Sequence, residues 1–556
     1  MEQLRPVVQR KSLSSGQDDG LFCTYSDANE SPKERMGVET MNRVYVFDTT
    51  LRDGSQTEGI SFSVTDKLTI AKMLDEIGTD YVEGGWPGSN VKDLDFFMQT
   101  RHMHFANSKI VAFTSTRKKN SSVQKDENLK VLLRTGVEFA TVVGKTSDFH
   151  VESALQTNLS ENLAMIYDTV FYLKSHGLKV FFDAEHFFDG YKHNQDYTEQ
   201  ALKAAAQAGA DWLVLCDTNG GMLPHEVQEI VSAVHHMNLG PLGIHAHNDG
   251  GLATANSLAA ITAGANQVQV TVNGLGERCG NTDLCTIVPN LTLKMNRENR
   301  IGDTHLNRLK EVSEKIYTLS GREPNPTQPF VGSSAFAHKA GIHVSAVVKN
   351  PVLYEHIVPE TVGNARKVVV SELSGTSNIV YALNKLKLPS PQDAVKRILS
   401  RVKKAEQDGY AFDRAETSLE LLLRDELGML DLQLTEIETK IDAQDEEFTV
   451  TLYWSERGLQ QGVTENKVSI GKGGTVAQAL LHATNLQHKG FEWTGEHVYT
   501  VAIPERPLMY RAHVFGVLGD QIISTVGIGE SPEKALAEAF LQIHQFTHID
   551  TSIVLS

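Results

Sequence analysis

The chain has 556 residues, with 52 Lys and Arg against 69 Asp and Glu, for a formal net charge of −17. That balance argues against a broad surface for nucleic acid or anionic membrane, and no stretch approaches the roughly 20 apolar residues of a membrane span. The four cysteines, Cys23, Cys216, Cys279 and Cys285, form no CxxC pair and too sparse a set for a disulfide framework. A reducing, cytoplasmic setting is therefore expected.

Residues 1–42 are polar and acidic, with no sustained hydrophobic period, and read as a flexible tail. A transit peptide is the alternative. It is disfavoured by Glu2, Asp18, Asp19, Asp27, Glu30, Glu34 and Glu39, because such peptides avoid acids.

Residues 43–300 alternate short apolar runs with amphipathic helices. The runs are VYVFDTT, DYVEGGW, KIVAFTS, FATVVGK, KVFFDAE, DWLVLCD, LGIHAH and QVQVTVNG. Their ends recur at about 30 residues, the size of one βα unit. Eight such units predict an α/β fold, a (β/α)₈ TIM barrel, rather than an open sheet. The first helix is expected to bury Val64, Leu68, Ala71, Leu74 and Ile77 and to close at Gly78. Gly136, Gly177, Gly209 and Gly264 are expected to close later helices in the same way.

Beyond the barrel, residues 301–428 read as linker subdomains, largely helical. They comprise a helix over 301–320, an irregular Gly-, Pro-, His- and Asn-rich stretch over 321–378, and two helices over 391–427. Residues 429–556 read as a separate α+β unit with an internal repeat. GKGGTVAQAL and GIGESPEKAL share G-x-G-x-[S/T]-x-x-x-A-L, with Thr475 and Ser531 at helix N-cap positions. Two strand–strand–helix halves are expected. The glycine pairs are read as turns into the helices, with anion nests as the alternative.

In a (β/α)₈ barrel, chemistry gathers at the C-terminal strand ends. TTLRDGSQ places Arg52, Asp53 and Gln56 there, DAEHF places Glu185, CDTNG places Thr218, HAHND places His245 and His247, and NGLGERCGN places Asn281. Residues two apart on a strand point the same way, so both imidazoles should face the barrel mouth beside Asp53. Two imidazoles and a carboxylate suit a divalent metal with open positions. A structural histidine pair is the bland alternative. Asn281 is a further oxygen donor or a turn residue. Arg52 can serve a carboxylate or a developing oxyanion, or simply pair with a neighbour. Glu185 is either a catalytic carboxylate or a supporting clamp. Gly274, Gly276 and Gly280 lack dinucleotide spacing.

FDTTLRDGSQTEG, EGGWPGSN, HAHNDGGLATANSLAA, VNGLGERCGN and SSAFAHKAGIHVSAV together resemble the metal-dependent, Claisen-condensing barrel enzymes. That family includes 2-isopropylmalate, homocitrate and citramalate synthases. EGGWPGSN, NPVLYEHI and GYAFDRAETSLELLL look most like its long, pyruvate-using members. The resemblance spans roughly residues 44–556. It implies an acyltransferase joining acetyl-CoA, pyruvate and water into citramalate and free CoA. Asp53, His245 and His247 would hold Mg²⁺, Mn²⁺ or Zn²⁺, with Asn281 close by. Arg52, Gln56 and Thr218 would bind substrate. Arg52 would steady the alkoxide, and Glu185 would assist proton removal from the acetyl group. His343 and Tyr354 would enter the neighbouring subunit's site in a homodimer or higher homo-oligomer. The C-terminal unit would be a regulatory dimer domain, with isoleucine as effector. A 2-isopropylmalate or homocitrate synthase, a lyase running the chemistry in reverse, and an effector-binding protein on a silent barrel are the alternatives.

Overall fold

The computed structural model describes residues 42–430, 432–444, 447–458 and 464–549. All but the last residue of the tail expected over 1–42, with Cys23, lies outside the described residues.

Eight parallel strands close into a barrel in sequence order: β1 (Tyr45–Asp48), β2 (Tyr81–Gly85), β3 (Lys109–Ser115), β4 (Phe139–Lys145), β5 (Lys179–Glu185), β6 (Trp212–Asp217), β7 (Leu242–Ala246) and β8 (Gln267–Val270). Closure is by β1 against β8, with Tyr45 opposite Gln267 and Asp48 opposite Val270. Side-chain alternation sorts these strands into two environments. Val46, Val82, Val142, Phe182, Ile244 and Val268 join the core beneath the helices. Phe47, Val111 and Phe181 turn to the barrel axis with Tyr81, Phe139 and Trp212. There, ring centroids of Phe181 lie 5.1 Å from Phe47 and 4.9 Å from Tyr81. This aromatic plug fills the N-terminal half of the barrel, so the polar layer above it opens to one end only.

The helix Val64–Ile77 begins at a Ser63–Asp66 capping box and ends at Gly78 in the left-handed region (φ 92°). Ile70, Ala71, Leu74 and Ile77 are buried, while Val64 and Leu68 pack at the margin of the same core. Lys67, on the same helix, is buried. Its ammonium donates to the Gly84 carbonyl (3.0 Å) and pairs with Asp93, whose other oxygen accepts from the Trp86 backbone (2.9 Å). This ion pair pins the EGGW turn after β2.

The helix expected over 301–320 is broken. Arg300–Thr304 and Leu309–Ser320 are separated by a 3₁₀ turn, Leu306–Arg308. Thr304 turns its hydroxyl back onto the Arg300 carbonyl (3.1 Å), and His305 leaves helical geometry at φ −133°. The stretch 321–378 is less irregular than its composition suggests. It holds a parallel pair of two-residue strands, β9 (Ala337–His338) and β10 (Lys367–Val368), and the helix Gly341–Lys349. Gly341 packs so closely on the Gly375 backbone that a Cβ would not fit, so composition there reflects close approach rather than looseness. The helices Thr376–Lys385, Gln392–Gln407 and Glu416–Glu426 share a small core of Ile379, Leu383, Ile398, Val402, Phe412 and Leu423.

Each half of the C-terminal repeat has three strands, one more than expected. The first half is β11 (Leu432–Gln444), β12 (Glu447–Gly458), β13 (Thr464–Gly473) and the helix Val476–Ala483. The second is β14 (Phe491–Val501), β15 (Met509–Leu518), β16 (Gln521–Gly529) and the helix Pro532–Phe546. β11 and β14 each carry a register shift, between Thr435 and Glu438 and between Trp493 and Gly495, which breaks the period of two. Thr475 and Ser531 cap their helices by accepting from Gln478 N and Lys534 N. The repeated glycines are neither turns nor nests. Gly471 and Gly527 lie within β13 and β16, where a Cβ would collide with the Ala479 and Ala535 carbonyls of the covering helices.

The edge strand β16 is sealed by side chains instead of another strand. Ser524 N donates to Thr417 Oγ1 (3.0 Å), Val526 N to Ser418 Oγ (2.8 Å) and Ile528 N to Glu538 Oε2 (2.6 Å). Thr417 and Ser418 thus join the helical subdomain to the module through backbone donors that would otherwise be open.

Candidate active site at the barrel mouth

The turn after β1 sets the site. Arg52 N and Gly54 N both return to the Thr49 carbonyl (3.1 Å each), and Thr50 Oγ1 bridges Asp48 and the Val272 backbone. This tight path breaks strand alternation, so Arg52 and Asp53 both overhang the mouth, Nη1 to Oδ2 3.8 Å.

His245 and His247, two apart at the end of β7, meet Asp53 there as the sequence spacing predicts. All three are buried. His245 Nε2 is 3.3 Å from Asp53 Oδ2 and 3.3 Å from His247 Nε2, and His247 Nε2 is 3.8 Å from Asp53 Oδ2. A triangle with those edges has its centre about 2.0 Å from each corner, the length of a metal–nitrogen or metal–oxygen bond. Asn281 donates to Asp53 Oδ2 (2.7 Å), while its Oδ1 and His247 Nδ1 are buried without a partner among the described residues. Three converging donor atoms and orphaned polar atoms beside them fit a divalent cation.

The electrostatics agree. Burial alone would raise the Asp53 carboxyl, yet Arg52 and then the imidazoles hold it well below the usual carboxylate range. Burial pushes His247 down to about 4, with His245 adding to the shift. His245 rises above its ordinary value despite burial, because Asp53 favours its charged form.

Arg52 is not free. Its Nε donates to Glu83 Oε2 (2.7 Å), and its guanidinium lies over the Phe113 ring, 4.3 Å from the centroid. Glu83 is fully buried and also accepts from Thr49 Oγ1 (2.7 Å). Glu185 ends β5 in an ion pair with Lys145 (2.6 Å) and keeps its carboxylate partly exposed to the mouth. Thr218 accepts from the His186 backbone through Oγ1 (2.8 Å), beside the β5 end. His186 itself sits at φ +57°, its ring stacked on His150 at 3.6 Å. Gln56 is exposed and makes no side-chain hydrogen bond among the described residues. His343 and Tyr354 lie together, centroids 4.4 Å apart, and both are exposed. No contact joins either to the Asp53 cluster among the described residues.

Sequence reasoning missed Glu83, Asp183, Gln269 and Lys145. Alternation could have found them: Asp183 lies two before Glu185, and Gln269 shares the inward face of β8. Asp183 is buried, and that burial, with the charge of Glu83 next, pushes its carboxyl up to about 7.

A closed (β/α)₈ barrel with a two-histidine, one-carboxylate cluster at its C-terminal mouth has the form of a barrel enzyme whose site could hold a metal ion. Residues 43–316 match the family model described as HMGL-like, and residues 330–409 match that described as homocitrate synthase post-HMGL domain-like. The chain is 51% identical to an (R)-citramalate synthase of Geobacter sulfurreducens, over 70% of this chain and 74% of the relative. It is 46% identical to one of Aquifex aeolicus, over 78% and 82%. A 2-isopropylmalate synthase of Methanocaldococcus jannaschii is 33% identical, over 73% and 76%. The chain belongs to the (R)-citramalate synthase family.

Proposed function

We propose that the enzyme condenses acetyl-CoA with pyruvate and water, giving (R)-citramalate and free CoA. The observation that carries this reading is the convergence of Arg52, Asp53, His245 and His247 at the mouth of a barrel from this family. Asp53, His245 and His247 hold Mg²⁺, Mn²⁺ or Zn²⁺, with Asn281 beside them. When bound, that cation supplies Lewis acidity to the keto group of pyruvate.

Thr218 and Gln56 bind the keto acid. Arg52 faces the oxygen that becomes an alkoxide on attack. The Glu83 bond and the Phe113 face fix its guanidinium before charge develops, so little reorganisation is needed. Glu185 accepts the acetyl methyl proton, and the Lys145 ion pair aims its carboxylate. Hydrolysis of the thioester then releases CoA.

His343 and Tyr354 serve the site of a second copy in a homodimer. Their exposure, with Ile342 at 79% and Val352 at 81% beside them, supports a surface covered by another chain. Isoleucine, acting at the C-terminal module, is the proposed effector. The module's separate core and its hydroxyl-sealed joint at β16 support its action as a unit. No helix among the described residues is long and apolar enough to cross a membrane, and we place the enzyme in the cytoplasm.

The test is a keto-acid panel scored by CoA release. Pyruvate should exceed 2-oxoisovalerate in kcat/KM by at least about tenfold, since a pocket fitted to one methyl excludes a branched chain by overpacking. Equal turnover of the two overturns the pyruvate assignment.

A further inference from the structure

A polar chain runs beneath the imidazole pair. His245 Nδ1 is 2.8 Å from Gln269 Oε1, and Gln269 Nε2 donates to Asp183 Oδ1 at 2.9 Å. The three residues come from β7, β8 and β5, so Gln269 reaches across the barrel interior to join strands that are not neighbours. Their exposures are 6%, 1% and 3%, which leaves no solvent to substitute for a lost partner.

The two ends of a carboxamide differ: the carbonyl accepts and the NH₂ donates. Gln269 turns its NH₂ to Asp183, whose Oδ1 accepts from it at 2.9 Å. That leaves the carbonyl for His245, and a carbonyl takes only an N–H. In the neutral ring Nδ1 therefore carries the proton, and Nε2 is left with its lone pair towards Asp53 and His247.

We propose that Asp183, acting through Gln269, is a positioning residue that fixes the His245 tautomer for coordination of a divalent cation. Packing alone does not call for an acid here. The layer below is already closed by Phe47, Tyr81 and Phe181, and an apolar side chain would fill the space without the desolvation cost of a carboxylate. Supporting bonds of this kind orient imidazole ligands and raise their basicity. Asp183 has no other hydrogen bond among the described residues, so its effect on the site passes through the amide.

The proposal rests on reading Asp53, His245 and His247 as a cation site. Full-length protein is stripped with chelator and titrated with Mn²⁺, and the His245 tautomer is read by ¹⁵N NMR of the stripped protein at alkaline pH. Asp183→Asn should weaken Mn²⁺ binding about tenfold or more and turn a single Nδ1–H tautomer into a mixture. The swap variant Asp183→Asn/Gln269→Glu restores the polarity: the new carboxamide on β5 donates its NH₂, and the new carboxylate on β8 accepts from Nδ1–H. It should recover most of the affinity and the single tautomer, which a purely structural role does not predict.

Wild-type affinity and an unchanged tautomer in Asp183→Asn overturn the relay. If that variant fails to fold, the swap decides: recovery supports the relay, and weak binding by a folded swap protein overturns it. Wild-type protein that takes up no Mn²⁺ sinks the cation reading, and the tautomer signal then judges the relay alone.

Discussion

Arg52 and Glu83 meet at 2.7 Å beneath the barrel mouth, the arginine from the turn after β1 and the glutamate fully buried on β2. The pair turns a flexible cation into a fixed one. Glu83→Gln removes the charge that anchors Arg52 and keeps the shape. We expect kcat to fall by about tenfold or more with a smaller change in KM, and Arg52→Ala to lose about 10²–10³-fold, the range for removing a fixed oxyanion donor. Steady-state kinetics on both variants checks this. An unchanged kcat in Glu83→Gln removes the argument for preorganisation.

Asp53→Ala and His245→Ala should lose bound metal and activity together while the far-ultraviolet circular dichroism stays native. Elemental analysis of purified protein makes the comparison. Full activity of the wild type after thorough chelation sinks the metal assignment.

Cation affinity should rise with pH. Coordination needs neutral imidazoles. His245 is raised above its ordinary value near 6.5, so the cation must displace its proton, and affinity falls as pH drops through and below neutrality. His247, near 4, stays neutral until much lower pH. About one proton should therefore be released per cation near pH 6. Calorimetry in buffers of different ionisation enthalpy counts it, and a pH-independent affinity contradicts the pairing of His245 with Asp53.

The joint at β16 is where an isoleucine signal should leave the C-terminal module. Thr417→Val with Ser418→Ala strips the acceptors from Ser524 N and Val526 N. Each unpaired backbone donor costs about 1–3 kcal/mol. We expect a lower melting temperature for the module, weaker isoleucine inhibition and nearly unchanged uninhibited CoA release. Truncation after residue 428 is a poorer test, because Leu421 already belongs to the module's core. Inhibition that survives in the double variant moves the signal's route elsewhere.

Gly471→Ala and Gly527→Ala each drive a methyl into a helix carbonyl. Both should destabilise the C-terminal module by about 1–3 kcal/mol, the usual cost of overpacking, and leave the barrel intact. Calorimetric scanning should show the module's transition moving alone. A single unshifted transition contradicts the close strand–helix packing.

The sequence determined the barrel, because a period near 30 residues and strand alternation are local properties of the chain. The same alternation put His245 and His247 on one side of one strand. The TTLRDGSQ run put Asp53 within reach, since β1 and β8 close the ring and β7 stands next to β8. The pattern weakened where a register shift breaks the period of two, as in β11 and β14, and where glycine served packing instead of turning.

Tertiary structure alone decided the partners. Glu83 under Arg52, Lys145 beside Glu185, and Gln269 between His245 and Asp183 join residues from different strands. Their pairing depends on barrel register and on which side chains share a buried layer. A carboxylate on a strand reads the same in sequence whether it faces water or a guanidinium. Only its burial, and the charge placed against it, assigns the role.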